Sequence, residues 1–409
     1  MSKLLTILIV LSSLIGCNPK VDGSGKALLD NNVPPKATAR DNTTSNPNAL
    51  ETTKAVLRYI AYLCDEPFNG VLSGQSCGHT VNIYKPDDMM GYAKMIENLY
   101  QTTGKYPAII ALDYEHDIIA KSEEISKANQ VLIKYWNEGG LIALGMSPQN
   151  PWLNDESDLD SNPGNWNLTR TVTLTKEQLY MINLNDLTNP EKPVFKVWRR
   201  KLDRIAAGLK ELQDAGVVVL FKPLQEMNGS WFWWGVLSHK DDPAPYVNLY
   251  RDLHNYFTKE KGLNNLIWMF SPLSFVSNYN AGDIWIFPQM WNYPGDDYVD
   301  IIAPTAYNTP LDIWGYNELK ATGKPIAMAE YGPDHNDNHG EFDNTKYINK
   351  ISSDYNELAF WISWHDWSNG DSTNTYMSII GNKNARELIK NSDVLTREDV
   401  AWTKFQKMD

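Results

Sequence analysis

Apolar and polar positions alternate between two patterns along most of the chain. Continuous apolar, β-branched runs occur at 70–75, 107–115, 141–148, 217–226, 266–272, 300–308, 325–333 and 359–367. A run apolar at successive positions reads as a strand buried on both faces, as in a parallel sheet. Between these runs lie stretches with apolar residues three and four apart, including 48–63, 126–140 and 194–216, and this spacing predicts helices. The last ends at Gly216, a C-cap immediately before the next strand. Eight such strands separated by helices predict an α/β fold of the (β/α)8 TIM-barrel type. An open doubly wound sheet is the second architecture, but no glycine-rich phosphate loop follows the first strand. The barrel is expected to occupy residues 50–409 as one domain.

Two segments depart from the alternation. The first, 151–193, is a long excursion at the end of the third strand, containing Trp152 and Trp166. Its position predicts a wall or lid over the barrel mouth, against the alternative of a surface loop. The second is the N-terminus, where Lys3 precedes an apolar run from Leu4 to Ile15 that is too short to cross a bilayer comfortably. Residues 1–17 therefore read as a signal peptide, and Leu14-Ile15-Gly16-Cys17 resembles a bacterial lipobox in which Cys17 is lipidated after cleavage. Residues 18–49 are polar and without apolar period, a flexible tether. The expected product is an exported, membrane-anchored lipoprotein, monomeric, touching the membrane only through its lipid. Cys64 and Cys77 remain, and whether they pair is open.

Charge narrows the partners. Lys plus Arg number 37 and Asp plus Glu 50, a net charge of −13, which repels a nucleic-acid backbone. The 15 Trp and 21 Tyr often neighbour Asn, Asp and Gly rather than sitting in apolar runs. Such rings offer flat apolar faces with a polar edge, suited to stacking on sugars as well as to core packing.

In a barrel of this type chemistry sits at the C-terminal ends of the strands. Those ends carry Gln75, Asp113-Tyr114, 147–150, Gln225-Glu226, Ser271, Tyr307-Asn308, Glu330-Tyr331 and Trp364-His365. Glu226 and Glu330 each close an apolar strand, the fourth and the seventh, on opposite walls. Two carboxyl groups facing one bond are what glycoside hydrolysis needs: one protonated to assist the leaving oxygen, one ionised to attack the anomeric carbon. A lone Glu at a strand end equally suits a salt bridge. The stretch 334–344 departs from the EF-hand pattern at both its glycine and its closing position, and reads as a solvated loop; no metal and no cofactor are expected.

The stretches "GVLSGQ", "KPLQEMNGSWFWWG", "AYN" and "AMAEYG" together resemble glycoside hydrolase family 26, over about residues 50 to 405. The resemblance implies a retaining enzyme with Glu226 as acid/base, Glu330 as nucleophile and Tyr307 orienting the nucleophile. It implies a β-linked polysaccharide or oligosaccharide substrate, with β-1,4-mannan leading and β-1,3-xylan or mixed-linkage β-glucan as alternatives. Gln225, Trp231, Trp234, Trp364, Asp113 and Asn150 are the expected substrate-binding residues, Trp231 as a stacking wall and Trp364 as a floor. The family usually has His where this chain has Gln225, and a Trp-His pair where it has Met146-Ser147-Pro148-Gln149 before Asn150. A non-catalytic glycan-binding barrel is the alternative class, and it leaves two facing carboxylates and Tyr307 without a purpose.

Overall fold

A computed structural model describes residues 40–65, 68–115, 120–153, 171, 174–281, 284–335, 338–369 and 373–406. Cys17, the tether before residue 40 and Trp166 lie outside them. Eight parallel strands form the barrel: β1 Val71–His79, β2 Ile109–Asp113, β3 Leu141–Met146, β4 Val219–Pro223, β5 Leu266–Phe270, β6 Ile301–Ile302, β7 Ile326–Met328 and β8 Leu358–Ser363. Neighbours pair in sequence order, and the ring closes where β8 lies beside β1 in register from Leu72↔Phe360 to Gln75↔Ser363.

The continuous apolar runs resolve into two layers through the two-residue alternation of strands. Ile109, Leu141, Ala143, Val218, Leu220, Ile267, Met269, Ala327 and Ile362 point inward and fill the barrel. Ile110, Leu112, Ile142, Leu144, Val219, Phe221, Trp268 and Ile326 point outward to the surrounding helices. The helix Glu51–Leu63 joins the inner layer through Leu57, Ile60 and Leu63, with Phe405 beside it, and so closes one end of the barrel. A buried apolar side chain is worth about 1.5–3 kcal/mol, so both layers are needed to hold the mouth in one shape. The helix Pro193–Asp214 begins with proline and ends before Gly216, whose φ of 77° is the left-handed turn expected of a glycine C-cap.

Strands β6 and β7 are interrupted near the mouth. Each resumes as a short piece, Thr305–Tyr307 and Glu330–Gly332, and these pair with one another, Glu330 opposite Thr305 and Gly332 opposite Tyr307. Pro304 lies at the first break; it has no N–H for the ladder, and its carbonyl accepts from the Ala329 N–H at 3.1 Å. The interruption places Thr305, Tyr307 and Glu330 in one patch at the rim. Cys64 and Cys77 are both buried and free.

Candidate active site

The inward rows of the strands change from apolar to polar as they reach the mouth. Beyond Ile109 and Ala111 comes Asp113; beyond Leu141 and Ala143, Gly145; beyond Val218 and Leu220, Lys222; beyond Ile362, Trp364. Asp113, Gly145, Lys222 and Trp364 line one small internal cavity with Ala111, Ala143, Met269, Ala329 and Ile362. Gly145 is required there, because a Cβ on it would stand 1.6 Å from Asp113 Oδ1.

Above this layer the chain takes an unusual course. The fourth run was expected to carry Glu226 on its strand, but β4 stops at Pro223. Leu224 and Glu226 then adopt φ of 50° and 54°, a left-handed conformation costing on the order of 1–3 kcal/mol for a non-glycine residue. The surroundings hold it. Leu224 N–H donates to the Met146 carbonyl at 3.0 Å and Glu226 N–H to the Ser271 carbonyl at 2.8 Å, so the segment still bridges β3 and β5. Tyr246 Oη donates to the Leu224 carbonyl at 3.0 Å, and Trp234 Nε1 to the Gln225 carbonyl at 2.8 Å.

Glu226 emerges with both oxygens engaged. Thr305 Oγ1 donates to Oε1 at 2.7 Å and Trp231 Nε1 to Oε2 at 2.7 Å. Trp231 reaches back because Gly229 has no Cβ; one placed there would stand 2.3 Å from the indole. Glu330 accepts from Tyr307 Oη at 2.6 Å on Oε2, and its Oε1 is ion-paired with Lys222 Nζ. Thr305 is both the donor to Glu226 and the register partner of Glu330, which brings the two carboxyl groups to one spot.

Electrostatics separates the pair. Burial pushes the Glu226 carboxyl above its ordinary value and the Glu330 charge pushes it further, outweighing the opposing pull of Thr305, Trp231 and Lys222. Burial works against the Lys222 ammonium, but the Glu330 and Asp113 carboxylates outweigh it and hold Lys222 above the usual lysine range. Burial and the same Glu330 charge keep the Tyr307 phenol far above its ordinary value, so it stays a donor. One carboxyl biased toward its proton, beside another facing a lysine and a phenol donor, can supply a proton and a nucleophile to opposite sides of one bond.

Of the expected residues, the structure brings together Glu226, Glu330, Tyr307 and Trp231 by direct hydrogen bonds. Trp364 is half-buried at the mouth, with Lys222 Nζ 5.1 Å from its ring centroid. Asp113 and Gln225 lie in the polar layer below, joined through the chain's own departure from the family pattern. Gln225 Nε2 donates to Ser147 Oγ at 2.7 Å, and Ser147 Oγ to Asp113 Oδ2 at 3.4 Å. Gln225 Oε1 is buried with no hydrogen-bond partner among the described residues. Two of the expected substrate-binding residues are buried away from the carboxylates' own hydrogen bonds. Trp234 is 0% exposed, stacked on Phe232 with centroids 4.5 Å apart; it struts the Gln225 backbone and lines no cleft. Asn150 is 1% exposed and its Oδ1 accepts from Trp152 N–H at 2.9 Å, so it shapes the turn after β3. Both placements share a cause: loops after strands fold back, and alternation no longer assigns their faces. Lys222 and Thr305 were missed. Counting by two from Val218 and Leu220 places Lys222 inside, so its signal was present; nothing local marks Thr305. Of the excursion, Thr171 N–H donates to the Trp231 carbonyl at 2.9 Å and Trp152 packs edge-on against Trp233 at 5.8 Å.

A closed (β/α)8 barrel with two carboxyl groups meeting at the mouth, one biased toward its acid form, defines a glycosidase. The glycosyl hydrolase family 26 model matches residues 45–399, and the chain belongs to that family. It is 33% identical over 368 residues to mannan endo-1,4-beta-mannosidase A and B of Caldalkalibacillus mannanilyticus, covering 88% of this chain and 63% of that protein. It is 34% identical over 337 residues to a mannan endo-1,4-beta-mannosidase of Bacillus subtilis strain 168, covering 79% of this chain and 82% of that one. The structure of Bacillus subtilis mannanase man26 superposes with a TM-score of 0.67 at 29% identity, covering 87% of this chain and 95% of that chain.

Proposed function

We propose that the chain hydrolyses internal β-1,4 bonds of mannan, glucomannan or galactomannan with retention of configuration. The observation that carries this reading is the pairing of a proton-biased Glu226 with Glu330, which is clamped by Lys222 and Tyr307. Glu330 attacks the anomeric carbon while Glu226 gives its proton to the departing oxygen. Glu226, now ionised, draws a proton from the water that releases the glycosyl–enzyme. Ionised Glu226 is stabilised in that second step by the hydrogen bonds from Thr305 and Trp231. Tyr307 and Lys222 orient Glu330, and Trp231 and Trp364 wall and floor the reacting sugar.

The relatives named as mannan endo-1,4-beta-mannosidases support mannan as substrate. The same proposal includes export with lipid attachment at Cys17, supported by the lipobox-like Leu14-Ile15-Gly16-Cys17, and action as a monomer. Reducing-sugar release by residues 40–409 on glucomannan, galactomannan, β-1,3-xylan and mixed-linkage β-glucan tests the reading. Activity on the mannans, lost in Glu226→Ala and in Glu330→Ala, is expected. Activity confined to xylan or glucan overturns the substrate, and activity surviving either substitution overturns the mechanism.

A further inference from the structure

Beyond the carboxylates, on the β5 and β6 side of the mouth, the chain exposes aromatic surface that the reaction does not use. Trp314 is 46% and Tyr279 45% exposed. Phe275 stands between them, edge-on to both, with centroids 5.4 Å from Trp314 and 6.3 Å from Tyr279. Val276 and Ile284, 53% and 49% exposed, extend the apolar area. Isolated exposed apolar residues need no explanation, whereas a contiguous group of rings marks a contact surface.

The group is fixed to the catalytic machinery by hydrogen bonds. Ser274 N–H donates to the Thr305 carbonyl at 2.9 Å, and Thr305 holds Glu226. Ser274 Oγ donates to the Trp314 carbonyl at 3.0 Å, so one serine ties the tryptophan to the acid's support. Trp314 sits on the loop that follows Tyr307, and Asn308 folds that loop by exchanging two hydrogen bonds with Asp312 at 2.9 and 2.7 Å. Tyr279 sits on a hairpin of Tyr279–Ala281 and Ile284–Ile286. This hairpin is laced to the segment after Glu226: Trp285 N–H donates to Ser230 Oγ at 3.0 Å, and Phe287 N–H to the Asn228 carbonyl at 2.8 Å. Asn228 itself is 0% exposed, and its amide donates to the Leu273 and Phe287 carbonyls.

We propose that Phe275, Tyr279 and Trp314 form a stacking platform for distal sugars of the polysaccharide on the leaving-group side of the cleaved bond, with Tyr279 and Trp314 presenting the faces and Phe275 bracing them. The proposal rests on the functional reading above. The side follows from attachment: the hairpin is bonded to 228–230, next to the residue that protonates the departing oxygen. The ligand class follows from chemistry. A β-linked glycan presents apolar C–H faces that aromatic rings cover without desolvating a charge, and the bonds through Ser274 and through Asn228 and Ser230 place the rings beside the carboxylates. The backbone bonds that tie the Trp314 loop to Ser274 and the Tyr279 hairpin to Asn228 and Ser230 reduce the loop entropy lost when substrate arrives.

The test compares Trp314→Ala, Tyr279→Ala and Trp314→Phe with the unaltered chain on mannotetraose and mannohexaose labelled at the reducing end. The alanine variants are expected to lower kcat/KM for the hexaose about tenfold, leave the tetraose within about twofold, and move cleavage toward the reducing end; Trp314→Phe restores most of the loss. Equal losses on both lengths, no loss on either, or a shift of cleavage in the opposite direction overturns the platform. An unaltered chain that cleaves neither oligosaccharide overturns the functional reading and the platform's ligand with it, and that failure is visible before any variant is made. Concentration-dependent dimerisation abolished by Trp314→Ala, with unchanged hexaose kinetics, assigns the patch to a second copy of the chain and overturns the proposal.

Discussion

Replacing Lys222 by methionine removes the one cation ion-paired with Glu330 among the described residues while keeping the length and apolar stem of the side chain. Lys222 and Glu330 are 5% and 6% exposed, so little water is present to take over the role. A unit-charge pair about 4 Å apart at an effective dielectric constant of about 20 is worth about 4 kcal/mol. Tyr307 Oη donates to Oε2 at 2.6 Å and keeps part of the hold on the nucleophile in the variant. A kcat/KM lower by about 10- to 1,000-fold at the optimum, with kcat falling beside it, is therefore expected. The basic limb of the profile, governed by Glu226, moves slightly upward, because Lys222 is the last of the groups that hold that carboxyl down. Leaving a buried charge without its partner also costs about 3–5 kcal/mol of stability, so thermal melting must accompany the kinetics. Lys222→Arg, which keeps the charge, should return most of the lost kcat/KM. A folded Lys222→Met chain with an unchanged kcat/KM would refute the reasoning, since a purely structural lysine predicts a lower Tm and an unchanged rate.

Three further expectations follow from the same geometry. Trp231→Phe removes a donor that favours the ionised form of Glu226; a hydrogen bond to a charged group is worth about 1.5–3 kcal/mol, so the basic limb should move to higher pH, as read from kcat/KM against pH, and an unmoved limb is the contrary result. Gly145→Ala puts a methyl group 1.6 Å from Asp113 Oδ1; displacing that carboxylate should cost about 1–3 kcal/mol in chemical denaturation and weaken the Ser147–Gln225 chain of hydrogen bonds, with an unchanged midpoint the contrary result. Lys201 is 0% exposed on the helix Pro193–Asp214, and burial depresses it from 10.5 to about 8. With its folded value depressed, the unfolded chain binds the proton more tightly, so the penalty is complete below about pH 8 and is relieved as pH rises toward 10.5. Lys201→Met should therefore raise Tm at neutral pH, with the gain shrinking in alkaline buffer; a gain independent of pH would count against this account.

The order and number of the barrel strands were legible from one-dimensional pattern, because a strand buried on both faces is largely apolar along its length and such runs recur between helical stretches from residue 70 onward. Glu226 and Glu330 were legible for a related reason: a carboxylate that ends such a run has to surface at the mouth. Family likeness added Tyr307, whose hydrogen bond to Glu330 the structure contains. Tertiary structure alone decided how the carboxylates are tuned. Lys222 and Glu330 lie 108 residues apart and Thr305 and Glu226 lie 79 apart, and they meet only because the ring closes and two strands break beside Pro304. It also decided that Trp231 turns toward the carboxylate while Trp234, three residues on, is spent on supporting the backbone. Periodicity assigns a face only while the chain keeps a regular period. At 224–235 two left-handed residues and a chain of turns abolish that period, and packing against neighbouring loops takes over the choice.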